Sequence, residues 1–162
     1  MFDDILEANS RYAAGFKLAG LDPTAAKGLG VVTCIDSRIE PLAMLGLVPG
    51  DAKILRNAGA RVTDDVLRSL VLATNLLGVD RICIVAHTQC RMAGTSDEEI
   101  RGALGNTPDA AAMEFLAISN QLETLNADVD LVRNCSLIPP DTAVAGFIYD
   151  VGSGLLAPQP GI

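Results

Sequence analysis

The sequence predicts an α/β domain with a mostly parallel β-sheet flanked by helices. Short apolar, β-branched runs alternate with stretches of helical periodicity, giving strand, helix, strand, helix, strand in roughly 60 residues. Parallel neighbours joined through a helix need right-handed crossovers, which a chain of this rhythm provides. At 162 residues and 49% hydrophobic content it is the length of one domain and can bury a core, so one domain is expected over 1–162, with residues 1–20 as an N-terminal helical arm.

That arm, Phe2 to Phe16, carries Ile5, Leu6, Tyr12, Ala13 and Phe16 as apolar positions that need covering. Residues 30–35 (GVVTCI) form the first buried strand. A short helix follows with Leu42, Met44 and Leu45 inward, closed by Gly46 and Pro49-Gly50; 52–56 (AKILR) is the second strand. Val66, Leu67, Leu70, Val71, Thr74 and Leu77 mark the clearest helix, with Thr63 as N-cap, Asp64 and Asp65 at the positive end of its dipole, Val62 placed to staple onto Leu67, and Gly78 as the stop. Residues 81–86 (RICIVA) are the most strand-like run. Residues 91–107 read as short helices or loop. Thr107-Pro108 opens an amphipathic helix with Ala112, Phe115, Leu116, Ser119, Leu122 and Leu125 on one face. A last strand, 143–151 (AVAGFIYDV), is expected at a sheet edge, antiparallel pairing being one option there.

Charge and composition narrow the function. A net charge of −8 disfavours nucleic acid and anionic lipid as partners. No apolar run approaches the ~18–20 residues of a membrane span. The opening MFDDILEANSRYAAGF lacks the basic start of a signal peptide, so a soluble, cytoplasmic protein is expected. With no tryptophan, two tyrosines and four phenylalanines, stacking on bases or sugars has little to work with.

Ligands of open α/β sheets gather beyond the carboxyl ends of the strands. Those ends deliver Cys34-Ile35-Asp36-Ser37-Arg38, Arg56-Asn57-Ala58-Gly59 and His87-Thr88-Gln89-Cys90, which include the single histidine and two of the four cysteines. His87 and Cys90, two residues apart, can reach one ion, and Cys34 on a neighbouring strand can add a third donor. Two thiolates and an imidazole suit zinc and leave the tetrahedron one short. The alternatives are that Cys34 is ordinary core and His87 a hydrogen-bonded cap. Asp36 and Arg38 at the same strand end either pair as a plain ion bridge or serve the site. Cys83 and Cys135 find no partner and are read as core.

The C-x-D-x-R of Cys34, Asp36 and Arg38, the R-N-A-G of Arg56 to Gly59 and the H-x-x-C of His87 and Cys90 resemble the β-class carbonic anhydrases in order and spacing over residues 30–94. Ser69-Leu70 and the final G-F-I-Y-D-V strand are also similar to that family. The short length and R-N-A-G-x-x-V-T-D-D stretch resemble its compact archaeal and actinobacterial branch. The resemblance implies a Zn²⁺ held by Cys34, His87 and Cys90, joined by Asp36 in a closed state; Arg38 draws Asp36 away in the active state. Asp36 and Arg38 are then the catalytic residues of reversible carbon dioxide hydration to bicarbonate and a proton by zinc-bound hydroxide. It also implies a homodimer or higher homo-oligomer with the arm over the partner.

There are departures. The family's usual glycine after the second cysteine is Arg91, which either strains the turn, places positive charge where an anionic product leaves, or is a solvated surface residue. The glycine often found before the histidine is Ala86. No second histidine is present to shuttle protons. Hydrolysis of carbon disulfide or carbonyl sulfide, and a noncatalytic zinc-binding regulatory module, are the competing functions on this scaffold. A nucleotide-binding flavodoxin-like protein is excluded, because no glycine-rich phosphate loop follows the first strand.

Overall fold

A computed structural model describes residues 1–161. It contains α1 (Asp3–Ala14), β1 (Leu29–Cys34), α2 (Pro41–Met44), β2 (Ala52–Asn57), α3 (Asp64–Leu76), β3 (Arg81–His87), α4 (Asp97–Ala103), α5 (Pro108–Ala112), α6 (Gln121–Arg133), β4 (Ala143–Tyr149) and β5 (Leu156–Pro158). Single 3₁₀ turns occupy Ala58–Ala60 and Arg91–Ala93.

The strands lie in the order β2-β1-β3-β4-β5. β1 pairs in parallel with β2 on one side and β3 on the other, and β3 pairs in parallel with β4. Chain order therefore reverses direction across the sheet between β1 and β3, and the crevice beyond such a switch point is where open α/β sheets take ligands. Register sets what meets there: Thr33 is level with Val85 and Cys34 with Asn57, so Cys34 and His87 end adjacent strands at one rim.

Alternation along the strands divides the core. Val32, Ile82, Ile84 and Ala86 face Val66, Leu70 and Ala73 of α3 and Leu125, Val129 and Val132 of α6. Leu29, Val31 and Val85 face the opposite way, under Met44, Leu45, Leu47 and Leu156. All six residues of β1 are buried, which explains its unbroken apolar run. Thr63 caps α3 through Val66 N at 3.4 Å, and Gly78 takes the left-handed conformation (φ 71°) that stops it.

Three expectations are corrected. The helix expected from Pro108 onward ends at Ala112, and a second begins at Gln121. Between them the chain is tied elsewhere: the Asp97 carboxylate accepts from Phe115 N and Ala117 N, Ile118 N donates to Met92 O, and Leu116 is left-handed (φ 59°). Asn120 then caps α6 by accepting from Leu122 N and Glu123 N. Second, β4 is an internal parallel strand; the edge belongs to β5, formed by the proline-containing tail and paired antiparallel to β4. Third, Cys83 and Cys135 are half-buried at the margins of the core.

α1 stands apart. None of its residues is buried, and Phe2, Ile5, Leu6, Tyr12 and Phe16 are all exposed. Among the described residues no helix is long and apolar enough to cross a membrane.

Candidate metal centre

Cys34, His87 and Cys90 are all buried, and their donor atoms lie within 4.8 Å of one another. A tetrahedral zinc with bonds of about 2.0–2.3 Å needs donor separations of roughly 3.5–3.8 Å, so three donors this close together can close on one ion. The imidazole is already oriented. His87 Nδ1 sits 2.9 Å from the Thr88 carbonyl, which can only accept, so Nδ1 carries the proton and Nε2 presents a lone pair. Among the described residues that buried Nε2 has no hydrogen-bond partner, as expected of a metal-ligating nitrogen.

The sulfurs tell the same story. The Cys34 thiol is pushed down by the adjacent Cys90, and further by His87 and the Gly59 N–H, against the opposing effect of burial. Cys90, beside that thiolate and buried, is pushed strongly up. His87 is pushed up chiefly by the neighbouring Cys34 sulfur, against the opposing effect of burial. Cys34 is thus readily deprotonated beside two groups that keep their protons, and a dication bound by all three has to displace those protons, so metal binding at this site releases protons. The residues fit zinc.

Cys34 and His87 are braced from behind. Gly59 N–H reaches Cys34 Sγ at 3.4 Å from a left-handed backbone (φ 83°), and a Cβ there would press within 3.1 Å of Ile118. Arg56 donates to the Cys34 carbonyl at 2.9 Å and the Asp36 carbonyl at 2.8 Å. Gln121 Nε2 donates to the His87 carbonyl at 2.8 Å, and Thr88 Oγ1 accepts from Val151 N at 3.1 Å.

Asp36 lies at the open side, its Oδ2 4.0 Å from His87 Nε2. Arg38 holds it back in a bidentate pair, Nε to Oδ1 at 2.9 Å and Nη2 to Oδ2 at 2.7 Å. The guanidinium keeps the Asp36 carboxyl well below its usual value of 3.8. The pair is therefore intact through the neutral range and breaks only as pH falls through that lowered value.

The structure brings Cys34, Asp36, Arg38, His87 and Cys90 to one rim. Arg91 has an ordinary negative φ at the start of the 3₁₀ turn, so it does not strain the chain; the left-handed residue is Gln89 (φ 56°). Arg91 is exposed and lines a cleft of about 700 Å³ with Ala58, Met92, Thr95, Ile100 and Phe115. Sequence reasoning assigned no task to Arg56 or Gln89, because the contacts that define theirs are long-range and a left-handed glutamine leaves no local signature.

A zinc-ready centre at the switch point of a parallel sheet defines the class of protein, and comparison with known proteins is specific about the family. A family model for carbonic anhydrase matches residues 29–104. β-Carbonic anhydrase 1 of Mycobacterium tuberculosis is 33% identical over 158 residues, covering 95% of this chain and 94% of the relative. A carbon disulfide hydrolase of Acidianus sp. is 33% identical over 148 residues, covering 76% and 72%. The crystal structure of a carbonic anhydrase from Streptococcus mutans superposes with a TM-score of 0.89 at 38% identity, covering 97% of this chain and 96% of that one. The chain belongs to the β-carbonic anhydrase family.

Proposed function

We propose that this protein catalyses the reversible hydration of carbon dioxide to bicarbonate and a proton, with Cys34, His87 and Cys90 holding its zinc. The observation that carries the reading is a three-donor cluster whose fourth neighbour, Asp36, is tied back by Arg38. Zinc held by these donors supplies the Lewis acidity that makes water a nucleophile near neutral pH, partly offset by the two thiolate charges. Cys34 and Cys90 balance the charge of the dication, and the Thr88 carbonyl keeps the His87 ring in the ligating tautomer. Asp36, ionised and fixed by Arg38, accepts a hydrogen bond from the attacking water and directs its oxygen lone pair at the substrate carbon. The released proton passes to solvent and buffer, since the single histidine is committed to the metal.

Carbon disulfide or carbonyl sulfide hydrolysis is the second reading, favoured by the Acidianus relative. Both substrates are linear and apolar, and attack by the same nucleophile serves either. The active unit on this proposal is a homodimer in which α1 covers its exposed Phe2, Ile5, Leu6, Tyr12 and Phe16 against the partner. A cytoplasmic location fits a centre built on two cysteines, which a reducing compartment keeps available to the metal.

Zinc content and hydrolysis of each of the three gases, measured on the same protein across pH, test the proposal. One zinc per chain is expected, with carbon dioxide hydration that rises toward alkaline pH because the thiolates weaken the acidity of the centre. Stoichiometric zinc with no hydration at any pH would indicate the noncatalytic module instead. Turnover confined to the sulfur gases would indicate the second reading.

A further inference from the structure

Arg38 holds Asp36, and Arg38 is itself held by a residue outside the D-x-R motif. One edge of its guanidinium, Nε and Nη2, is occupied by the Asp36 carboxylate. The opposite edge is occupied by Gln89: Nη1 donates to its Oε1 at 3.1 Å and Nη2 to its main-chain oxygen at 3.2 Å. A planar fork gripped on both edges has little freedom to swing. Gln89 lies between the donors His87 and Cys90, so it carries the position of one side of the centre to the arginine that governs the other.

The backbone pays for this placement. Gln89 is left-handed at φ 56°, a conformation glycine adopts without the steric cost a side chain incurs. Its side chain and carbonyl together offset that cost by closing on Arg38. Without the Gln89 side chain, Arg38, itself 45% exposed, would keep the main-chain oxygen of residue 89 and its surface pair with Asp36, but the Nη1 end of its fork would be free, and surface pairs are weak. The Asp36 carboxylate, 4.0 Å from His87 Nε2, is then the anionic group best placed to turn onto a bound dication.

We propose that Gln89 is a positioning residue: its side-chain oxygen, added to the main-chain oxygen of the same residue, locks Arg38 and so keeps Asp36 turned away from the Cys34–His87–Cys90 corner. The inference rests on the metal-centre reading. Its test uses cobalt-substituted full-length protein at fixed neutral pH. The probe is azide, which perturbs the visible cobalt spectrum only where a coordination position is open to it. Gln89→Leu should raise the apparent azide Kd about tenfold, the loss expected for hydrogen bonds to a charged group. Arg38→Ala should raise it at least as much. If Gln89 acts through Arg38, the double variant should match Arg38→Ala within about twofold. Gln89→Gly, which accepts the left-handed backbone without strain, should reproduce Gln89→Leu and decides the matter if the leucine variant does not fold. Unchanged azide binding in the glutamine variants, or a Gln89→Leu effect that adds in full to that of Arg38→Ala, overturns the inference and leaves the metal centre standing. A wild-type chain that binds neither zinc nor cobalt stoichiometrically overturns both.

Discussion

Among the described residues, two bidentate arginine–aspartate pairs stand in opposite surroundings. Asp36 and Arg38 are two residues apart at the sheet rim, their side chains 18% and 45% exposed. Asp128 on α6 and Arg61 after the Ala58–Ala60 turn are 67 residues apart, their side chains 2% and 19% exposed, with Arg61 Nε 2.8 Å from Asp128 Oδ2. Arg61 also donates from Nη1 to the Leu116 carbonyl, while its main chain exchanges hydrogen bonds with the Asn57 side chain. The same ion pair therefore has two roles. Buried and fully satisfied, it fixes the loop that carries Gly59 against α6. Partly exposed beside a donor cluster and held from behind by Gln89, it fixes a carboxylate where a substrate can reach it.

The contrast is sharpest at the buried pair. Asp128→Ala strands Arg61 in the interior and should cost about 3–5 kcal/mol of folding stability by urea denaturation, the range for breaking a buried ion pair from one side. Zinc per folded chain should stay at one. Unchanged stability would remove the distinction between the pairs, and zinc loss from folded protein would show that the two regions are not separable.

Asp36→Ala is the mirror case. Turnover should fall about 100-fold, within the range for loss of a positioned proton acceptor, while zinc content and the urea midpoint stay at wild-type values. Full activity in this variant would count directly against Asp36 as a catalytic group. Arg91→Gly should have the smallest effect, within about twofold on hydration rate and stability, because residue 91 already has an ordinary backbone and an exposed side chain. A large gain in stability would mean that the turn is strained there after all.

Much of this was legible without coordinates. β1, β2, α3 and β3 announce themselves by apolar periodicity and by caps such as Thr63 and Gly78, which act within a few residues of where they stand. The donor set was equally visible, because parallel strands deliver their carboxyl ends to one rim and Cys34, Asp36, Arg38, His87 and Cys90 occupy those ends. The break between α5 and α6 was not. Its cause is the Asp97 carboxylate taking Phe115 N and Ala117 N from 18 and 20 residues away, against a local pattern that favours continuation of the helix. β5 was missed for a related reason: a three-residue strand has too little periodicity to register and exists because β4 offers it an edge.

The sequence by itself determined the strand–helix order, the presence of a cysteine–histidine donor set and the pairing capacity of D-x-R, since each is encoded in residue type and short spacing. The tertiary structure decided which aspartate stands at the donor cluster and which is locked in the interior, where Gln89 directs its oxygens, and that His87 Nε2 has no partner among the described residues. Those outcomes depend on burial and on contacts across 51 and 67 residues of chain, distances over which local preference carries no information.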